Sequence, residues 1–475
     1  MNASAESDIE RLIRSFLEFE THHDLFSVRI RGHCFWDHIR YAVFYECVYS
    51  IHSFRDPRML RPHDYIREAW SLARALVGEL LTSARSYDIL VVNYDRRVVI
   101  EGKNRNAHMY PFIQELAGAY SVLLVDATLL HQTDDEAYPC RILRFRPFHL
   151  LDRLKSLRVR YDARERAVMA SLGEAIRQEL GVTVDVHGLA RSVYALQLEK
   201  YRRYRRVFQK YRPRLVVYAD DASMKGALEA ARELGIPTVE LQHSLVSFLN
   251  VLCNYPEDSR ARAAAIVPDH VFTYGEYWTN EFRSPVKIVP VGFPYLEERL
   301  ADASPSRADR ERNIMVIGMF FEKEILVQIT LELARLLPEH RILYKLRSDD
   351  YEGWRGRYPR ALQETPNVTV IDSDAVSLFE YFTMCAYQIG TNSGALYEGL
   401  AFDLTTFVVK AGWYAEMNAL IEGGHAFLVS GAAEIAEKVR AGARPPHRLN
   451  RDSLFKSDSR KRIRAAIDSI LAGTT

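Results

Sequence analysis

Hydrophobic residues recur along this chain in two rhythms, one helical and one extended. Ile9, Leu12, Ile13, Phe16 and Leu17 stand at three- and four-residue steps, which predicts a helix. Phe26, Val28 and Ile30 then alternate like a strand, Gly32 turns the chain, and Trp36, Ile39, Val43, Phe44 and Cys47 resume the helical step. Residues 1–85 read as a helical lead-in containing a small hairpin. From Tyr87 the pattern changes. Short apolar runs at 88–94, 121–127, 215–221, 238–244, 270–276 and 287–293 are separated by amphipathic stretches. Continuous apolar strands spaced by helices imply a parallel sheet covered on both faces. The helix at 221–237 is the clearest: Met224, Ala227, Leu228, Ala231 and Leu234 share a face, and Gly235 stops it.

A polar, charge-rich run containing Pro305 marks a linker at 299–312. A second alternating series follows, with strands at 313–320, 341–348, 367–372, 404–409 and 426–430. Leu326, Ile329, Leu333 and Leu336 mark a helix among them, and 378–385 another. The stretch 387–409 reads strand, tight polar turn, short helix, strand. The fold class is α/β: two Rossmann-like domains, 86–298 and 313–445, facing each other across a cleft. Ile463, Ala466, Ile467 and Ile470 predict a terminal helix within 446–475.

With 475 residues the chain is long enough for these domains. Its net charge of +1 gives no global attraction to nucleic acid, and no nucleic-acid partner is expected. Cys34, Cys47, Cys140, Cys253 and Cys385 are scattered, which fits a reducing, cytoplasmic setting and argues against a disulfide framework or a structural zinc site. The N-terminal residues carry acids and lack the apolar core of a signal peptide, and no apolar run is long enough to span a bilayer. The stretch from Leu198 to Arg214 sets Tyr201, Tyr204, Phe208 and Tyr211 among eight basic residues. It reads either as a helix packed by its aromatic stripe or as a peripheral contact with an anionic inner-membrane surface.

Ligands of paired Rossmann-like sheets lie at the carboxyl ends of the strands. In the second domain those ends carry Gly318 and Phe320, Lys345 and Arg347, Asp372, and the loop Thr391, Asn392, Ser393, Gly394. That loop opens a helix, so its N–H groups and hydroxyls suit an anion, and Glu398 lies within reach of a neighbouring ribose. Ser393 also suits a plain helix cap. Lys345 and Arg347 suit a departing diphosphate. In the first domain the ends carry Asp220 and Asp221, Gln242, His243 and Ser244, Tyr274 to Glu276, and Gly292 to Pro294. Asp37, Arg40 and Tyr41 of the lead-in either line an acceptor cleft or belong to a satisfied cap. No DxD motif sits at a strand end, and no Walker loop or GxGxxG fingerprint occurs, so neither metal nor cofactor is expected.

The loop 391–394 with Glu398 resembles the donor-nucleotide motif of GT-B glycosyltransferases. The segment 236–244, IPTVELQHS, resembles the Ile-Pro-x-x-x-x-Gln-His-Gly segment of bacterial surface-polysaccharide (capsule and teichoic-acid-like) transferases, with Ser244 in place of the glycine. Those relatives usually end the strand at 341–348 in Lys-x-His-Pro, whereas this chain reads Lys345, Leu346, Arg347, Ser348. The resemblance implies a nucleotide-sugar donor on the second domain and a glycan or lipid-linked acceptor on the first. It implies a terminal helix that crosses back to the first domain, and a base among Asp220, Asp221 and His243. It leaves inversion or retention open. The same fold also serves nucleotide-sugar 2-epimerases and inactive glycan- or partner-binding scaffolds.

Overall fold

A computed structural model describes residues 8–52, 85–93, 97–127, 138–219, 221–302 and 310–473. The rest of the lead-in, Asp134, Asp135, Asp220 and residues 303–309 of the linker lie outside the described residues. The lead-in is helix α1 (Asp8–His22), a hairpin of β1 (Arg29–Ile30) and β2 (His33–Cys34), and helix α2 (Phe35–His52). Gly32, at φ 85°, makes the hairpin turn in a conformation that favours glycine. Phe16 of α1 stacks on Trp36 of α2 at 5.8 Å, so the helical faces read from the sequence do meet.

The first sheet has seven strands: β3 (Ile89–Asn93), β6 (Val122–Asp126), β7 (Arg141–Arg144), β8 (Leu215–Tyr218), β9 (Thr238–Leu241), β10 (His270–Thr273) and β11 (Lys287–Pro290). Between β3 and β6 stands a two-stranded hairpin of β4 (Arg97–Ile100) and β5 (Lys103–Asn106). The sequence pattern does not predict this hairpin or β7, because their apolar runs are only two or three residues long, Val98–Ile100 and Ile142–Leu143, and are flanked by charged residues. The sheet order is β11-β10-β9-β8-β3-β6-β7, all parallel. Its flanking helices include α3 (Met109–Leu116), α4 (Ala195–Tyr211) and α5 (Asp221–Glu233). Gly226 lets α5 touch α4, since a Cβ there would lie 2.2 Å from the Gln197 carbonyl oxygen.

Helix α4 buries Leu198, Tyr204, Phe208 and Tyr211 and spends much of its basic face within the protein. Arg203 binds Asp152 through Nε at 2.7 Å, Arg205 binds Glu233 at 2.9 Å, and Lys200 donates to the Ser223 carbonyl at 2.7 Å. The packed-helix reading accounts for these residues. Among the described residues no helix is long and apolar enough to cross a membrane.

The second sheet has six parallel strands: β12 (Asn313–Ile317), β13 (Arg341–Lys345), β14 (Val368–Ile371), β15 (Tyr387–Gly390), β16 (Thr405–Val409) and β17 (Phe427–Val429). Their order is β14-β13-β12-β15-β16-β17. Helices α6 (Lys323–Leu336) and α7 (Gly394–Ala401) follow β12 and β15. The terminal helix α8 (Ser459–Ala472) packs on the first domain, where Arg460 binds Glu298 at 2.6 Å and Glu297 accepts the Ser459 N–H at 3.0 Å. The chain leading into α8 presses on β11. A Cβ on Gly292 would meet the Lys456 carbonyl oxygen at 2.3 Å, so no larger residue fits.

Both sheets are Rossmann-like and together give the GT-B type of architecture. Each grows outward from its first strand in one direction and then in the other. The order reverses between β3 and β8 in the first sheet and between β12 and β15 in the second. At such a switch point the loops leave in opposite directions and open a crevice where ligands bind. The loops after β12 and β15 are therefore the walls of the second crevice.

Candidate active site at the second switch point

The loop after β15 is built by its own side chains. Thr391 is buried and its hydroxyl donates to Asn392 Oδ1 at 3.2 Å. Asn392 Nδ2 donates to Glu416 Oε2 at 2.7 Å. Ser393 Oγ accepts the Ala395 N–H at 3.2 Å, so it does cap α7. A Cβ on Gly394 would lie 3.7 Å from the Leu245 backbone nitrogen. The loop after β15 and the loop after β9, the two segments that carry the family resemblance, thus meet across the domain boundary. Glu398, one turn into α7, is 8% exposed.

The opposite wall follows β12. Gly318 donates its N–H to the Lys345 carbonyl at 2.9 Å, and a Cβ there would sit 2.6 Å from that oxygen. Only glycine permits this approach. Phe320 and Phe321 come next, then Glu322, which is 5% exposed. Its Oε1 accepts the Trp413 N–H at 3.2 Å, beside Gly412 at φ 54°. Its Oε2 is buried without a hydrogen-bond partner. Burial raises the Glu322 carboxyl above its ordinary range, opposed by backbone hydrogen bonds and by Arg347. Arg347 keeps its own Nε buried and unpartnered, with Asp349 3.7 Å from its Nη2.

Glu416 completes the group. Part of its side chain is accessible, yet desolvation pushes its carboxyl up to about 7, with the Asn392 hydrogen bond opposing and Glu322 adding to the rise. Tyr45 of α2 lies within electrostatic reach of Glu416. Glu10 of α1 accepts the Asn418 Nδ2 donor at 3.1 Å, and Trp413 and Ala415 join the apolar core of the lead-in. The lead-in helices therefore touch the second domain as well as the first. A cavity of about 400 Å³ opens between Phe320–Ile325 and Ala411–Trp413. Among the described residues no group of three or more His, Cys, Asp or Glu is placed to hold a metal ion.

Other strand-end residues are engaged within their own domains. Lys345 is buried, and its Nζ donates to Asp374 Oδ1 at 3.0 Å and to the Tyr351 hydroxyl. Burial lowers its pKa, with Asp374 opposing. Asp372 accepts from Trp354 Nε1 at 2.7 Å. In the first domain Gln242 is a latch: Oε1 accepts the Tyr274 N–H at 2.9 Å and Nε2 donates to the Ser244 carbonyl at 3.3 Å. It ties the end of β9 to the end of β10 and shapes the turn that presents His243. His243 is a quarter exposed, with Nδ1 3.9 Å from Glu240 Oε1. The Asp partner expected for it falls on Asp220 and on the Asp221 side chain, which are outside the described residues. Tyr274 and Phe293 are packed rather than open, stacked on each other at 4.9 Å.

In the lead-in, Asp37 and Arg40 are buried and internally bonded, so they form the satisfied cap and do not line a cleft. Glu322 and Glu416 had no motif in the sequence. Glu322 stands four residues after Gly318, which is the one local signal: an acid just beyond a strand end that belongs to the crevice.

Scanned against family models and curated proteins, the sequence finds no match. Solved structures give distant likenesses. One is the UDP-GlcNAc 2-epimerase from Neisseria meningitidis bound to UDP-GlcNAc, 14% identical, TM-score 0.48, covering 80% of this chain and 99% of that one. Another is MurG from Acinetobacter baumannii, 13% identical, TM-score 0.44, covering 81% and 99%. A third is sucrose-phosphate synthase from Thermosynechococcus elongatus, 16% identical, TM-score 0.41, covering 81% and 96%.

Proposed function

We propose that the chain is a GT-B-type glycosyltransferase that moves a sugar from a nucleotide-sugar donor to a surface-polysaccharide or lipid-linked glycan acceptor. The observation that carries this reading is the meeting of the two strand-end loops, with Gly394 against Leu245. A donor lying in the second crevice, at the N-terminus of α7, then points its sugar toward the loop that holds His243. In this reading the N–H groups of 391–394 take the donor phosphates, Gly318 leaves room for them, and Glu398 takes the ribose. Arg347 balances the charge of the departing nucleotide, while Lys345, held by Asp374 and Tyr351, fixes the neighbouring strand end. His243, Asp220 or Asp221 removes the acceptor proton.

A second reading has support in Glu322 and Glu416. Two carboxyls raised by burial beside one nucleotide site suit proton removal and return on the donor sugar itself, as in a nucleotide-sugar 2-epimerase. A thermal-shift screen against UDP-, GDP-, CDP- and CMP-sugars tests what the readings share, because a ligand that binds the folded state raises its stability. Change of the sugar without an added acceptor selects the epimerase, and transfer to an acceptor selects the transferase. No shift with any donor overturns both.

A further inference from the structure

Helix α4 spends much of its basic face within the protein, but the helix Arg146–Ser156 packed against it ends in the opposite way. Its inner face carries Asp152 and Ser156, both buried, and Asp152 binds Arg203 of α4 through both carboxylate oxygens. Its outer face carries Leu154 and, one turn on at the cap, Leu157. These two are 51% and 63% exposed, more than any other large hydrophobic residue described. From Arg153 to Arg160 the sequence reads RLKSLRVR, with four cations and no acid. Arg153, Arg158 and Arg160 are exposed, and Lys155 is half-buried. Among the described residues none of the four pairs with a carboxylate. The backbone beneath them is fixed. Leu157 donates its N–H to the Arg153 carbonyl at 3.3 Å, and Arg158 to the Lys155 carbonyl at 3.0 Å. Buried Tyr161 anchors the far side by donating to the Ala190 carbonyl at 2.7 Å. The fold therefore holds both leucines out in water, at a cost that an apolar partner recovers.

We propose that this face docks the protein on an anionic lipid bilayer, with Leu154 and Leu157 at the headgroup boundary and Arg153, Lys155, Arg158 and Arg160 among the lipid phosphates. The proposal goes beyond the nucleotide-sugar reading and does not rest on it. Charge complementarity selects the partner. Two neighbouring aliphatic side chains ringed by cations match the boundary between acyl chains and anionic headgroups, where each half is satisfied at its own depth. Long cationic side chains at that depth reach outward to the phosphates. A nucleic acid would use the cations and leave the leucines in water. A second copy of the chain presenting the same face would set cations against cations. The whole chain carries only +1, so the attraction is local to this face.

The test is co-sedimentation of the full chain with vesicles of two compositions, pure phosphatidylcholine and an equal mixture of phosphatidylcholine and phosphatidylglycerol. The mixed vesicles should bind the protein at least about tenfold more tightly than the neutral ones. Leu154→Ser with Leu157→Ser should weaken that binding about tenfold, and Arg153→Glu with Arg158→Glu should abolish it. Unfolding midpoints should stay at the wild-type value, because all four side chains are exposed. Equal binding to both vesicles overturns the proposal, as does binding to neither. Binding that survives in both variants places the contact elsewhere and overturns it too. A loss confined to the arginine variant overturns it in favour of a polyanion such as nucleic acid, which a DNA duplex would reveal by binding as tightly as the vesicles. A loss confined to the leucine variant overturns it in favour of an uncharged partner. None of these outcomes involves a nucleotide sugar, so failure here leaves the proposed function standing.

Discussion

Two charge clusters, one inside the docked lead-in and one at the second switch point, are finished differently. In the first, Glu20 binds Arg40 through both carboxylate oxygens, at 2.5 and 2.9 Å, and also accepts the Trp36 indole N–H at 2.6 Å. Arg40 donates onward to the Asn254 carbonyl at 2.7 Å, and its guanidinium lies 4.3 Å from the Tyr255 ring centroid. Asp37 accepts the Ile266 N–H and faces Lys225 at 3.3 Å, and Lys225 donates to Tyr255 and to the Ile266 carbonyl. In the second cluster Glu322 Oε2 and Arg347 Nε are left without partners, and Glu416 is pushed up to about 7. A charged group that is fully bonded fixes structure. One that is buried, shifted and unfinished, beside a cavity at a switch point, is a candidate for chemistry. Satisfaction, rather than burial, separates the two.

The difference should be largest in stability. Arg40→Ala leaves Glu20 buried and unpaired and should cost about 3–5 kcal/mol, read by denaturant unfolding. The corresponding change in the other cluster, Glu416→Gln, should leave stability at neutral pH unchanged or improved. A loss from Glu416→Gln as large as that from Arg40→Ala would erase the contrast. The next effect is on turnover. Glu416→Gln should lower it about a hundredfold if the carboxyl moves a proton. Turnover within twofold of wild type would reduce Glu416 to a prop for Asn392.

The smallest effect is on the pH dependence of stability. A carboxyl held near 7 in the folded chain, against 4.5 ordinarily, keeps its proton longer folded than unfolded. Its stabilising contribution is complete below pH 4.5 and is lost as pH climbs to about 7. The slope should be less than about 1.4 kcal/mol per pH unit, because the side chain is partly exposed. Glu416→Gln should flatten that decline. An identical slope in the variant would mean that another group titrates there.

Much of the architecture is written locally. Apolar strands such as 88–94 and 313–320 announce themselves, as does the helix that ends at Gly235. Loop 391–394 is legible because its small residues sit between a strand and a helix. The chemistry of Glu322 and Glu416 is not legible, because each lies in an ordinary loop and topology alone joins them. The order β12-β15-β16 brings the two loops together although 94 residues separate them. Lys345 is legible only in part: its place at a strand end is read locally, but its partners Asp374 and Tyr351 come from later loops. The contact of Tyr49 with Phe321 is not legible either, since nothing in 41–49 reveals a partner so far along the chain.

The central claim is that a nucleotide sugar sits against the loop after β15. Asn392 is the residue to remove, because it links that loop to Glu416 through one hydrogen bond and has no place in the apolar core. The measurement is calorimetric titration of wild type and Asn392→Ala with the nucleotide sugar found by the stability screen. The account predicts one site in the wild type and an affinity at least about tenfold weaker in the variant, with its unfolding midpoint little changed. Equal affinities in the two proteins would contradict it and move the donor elsewhere in the cleft.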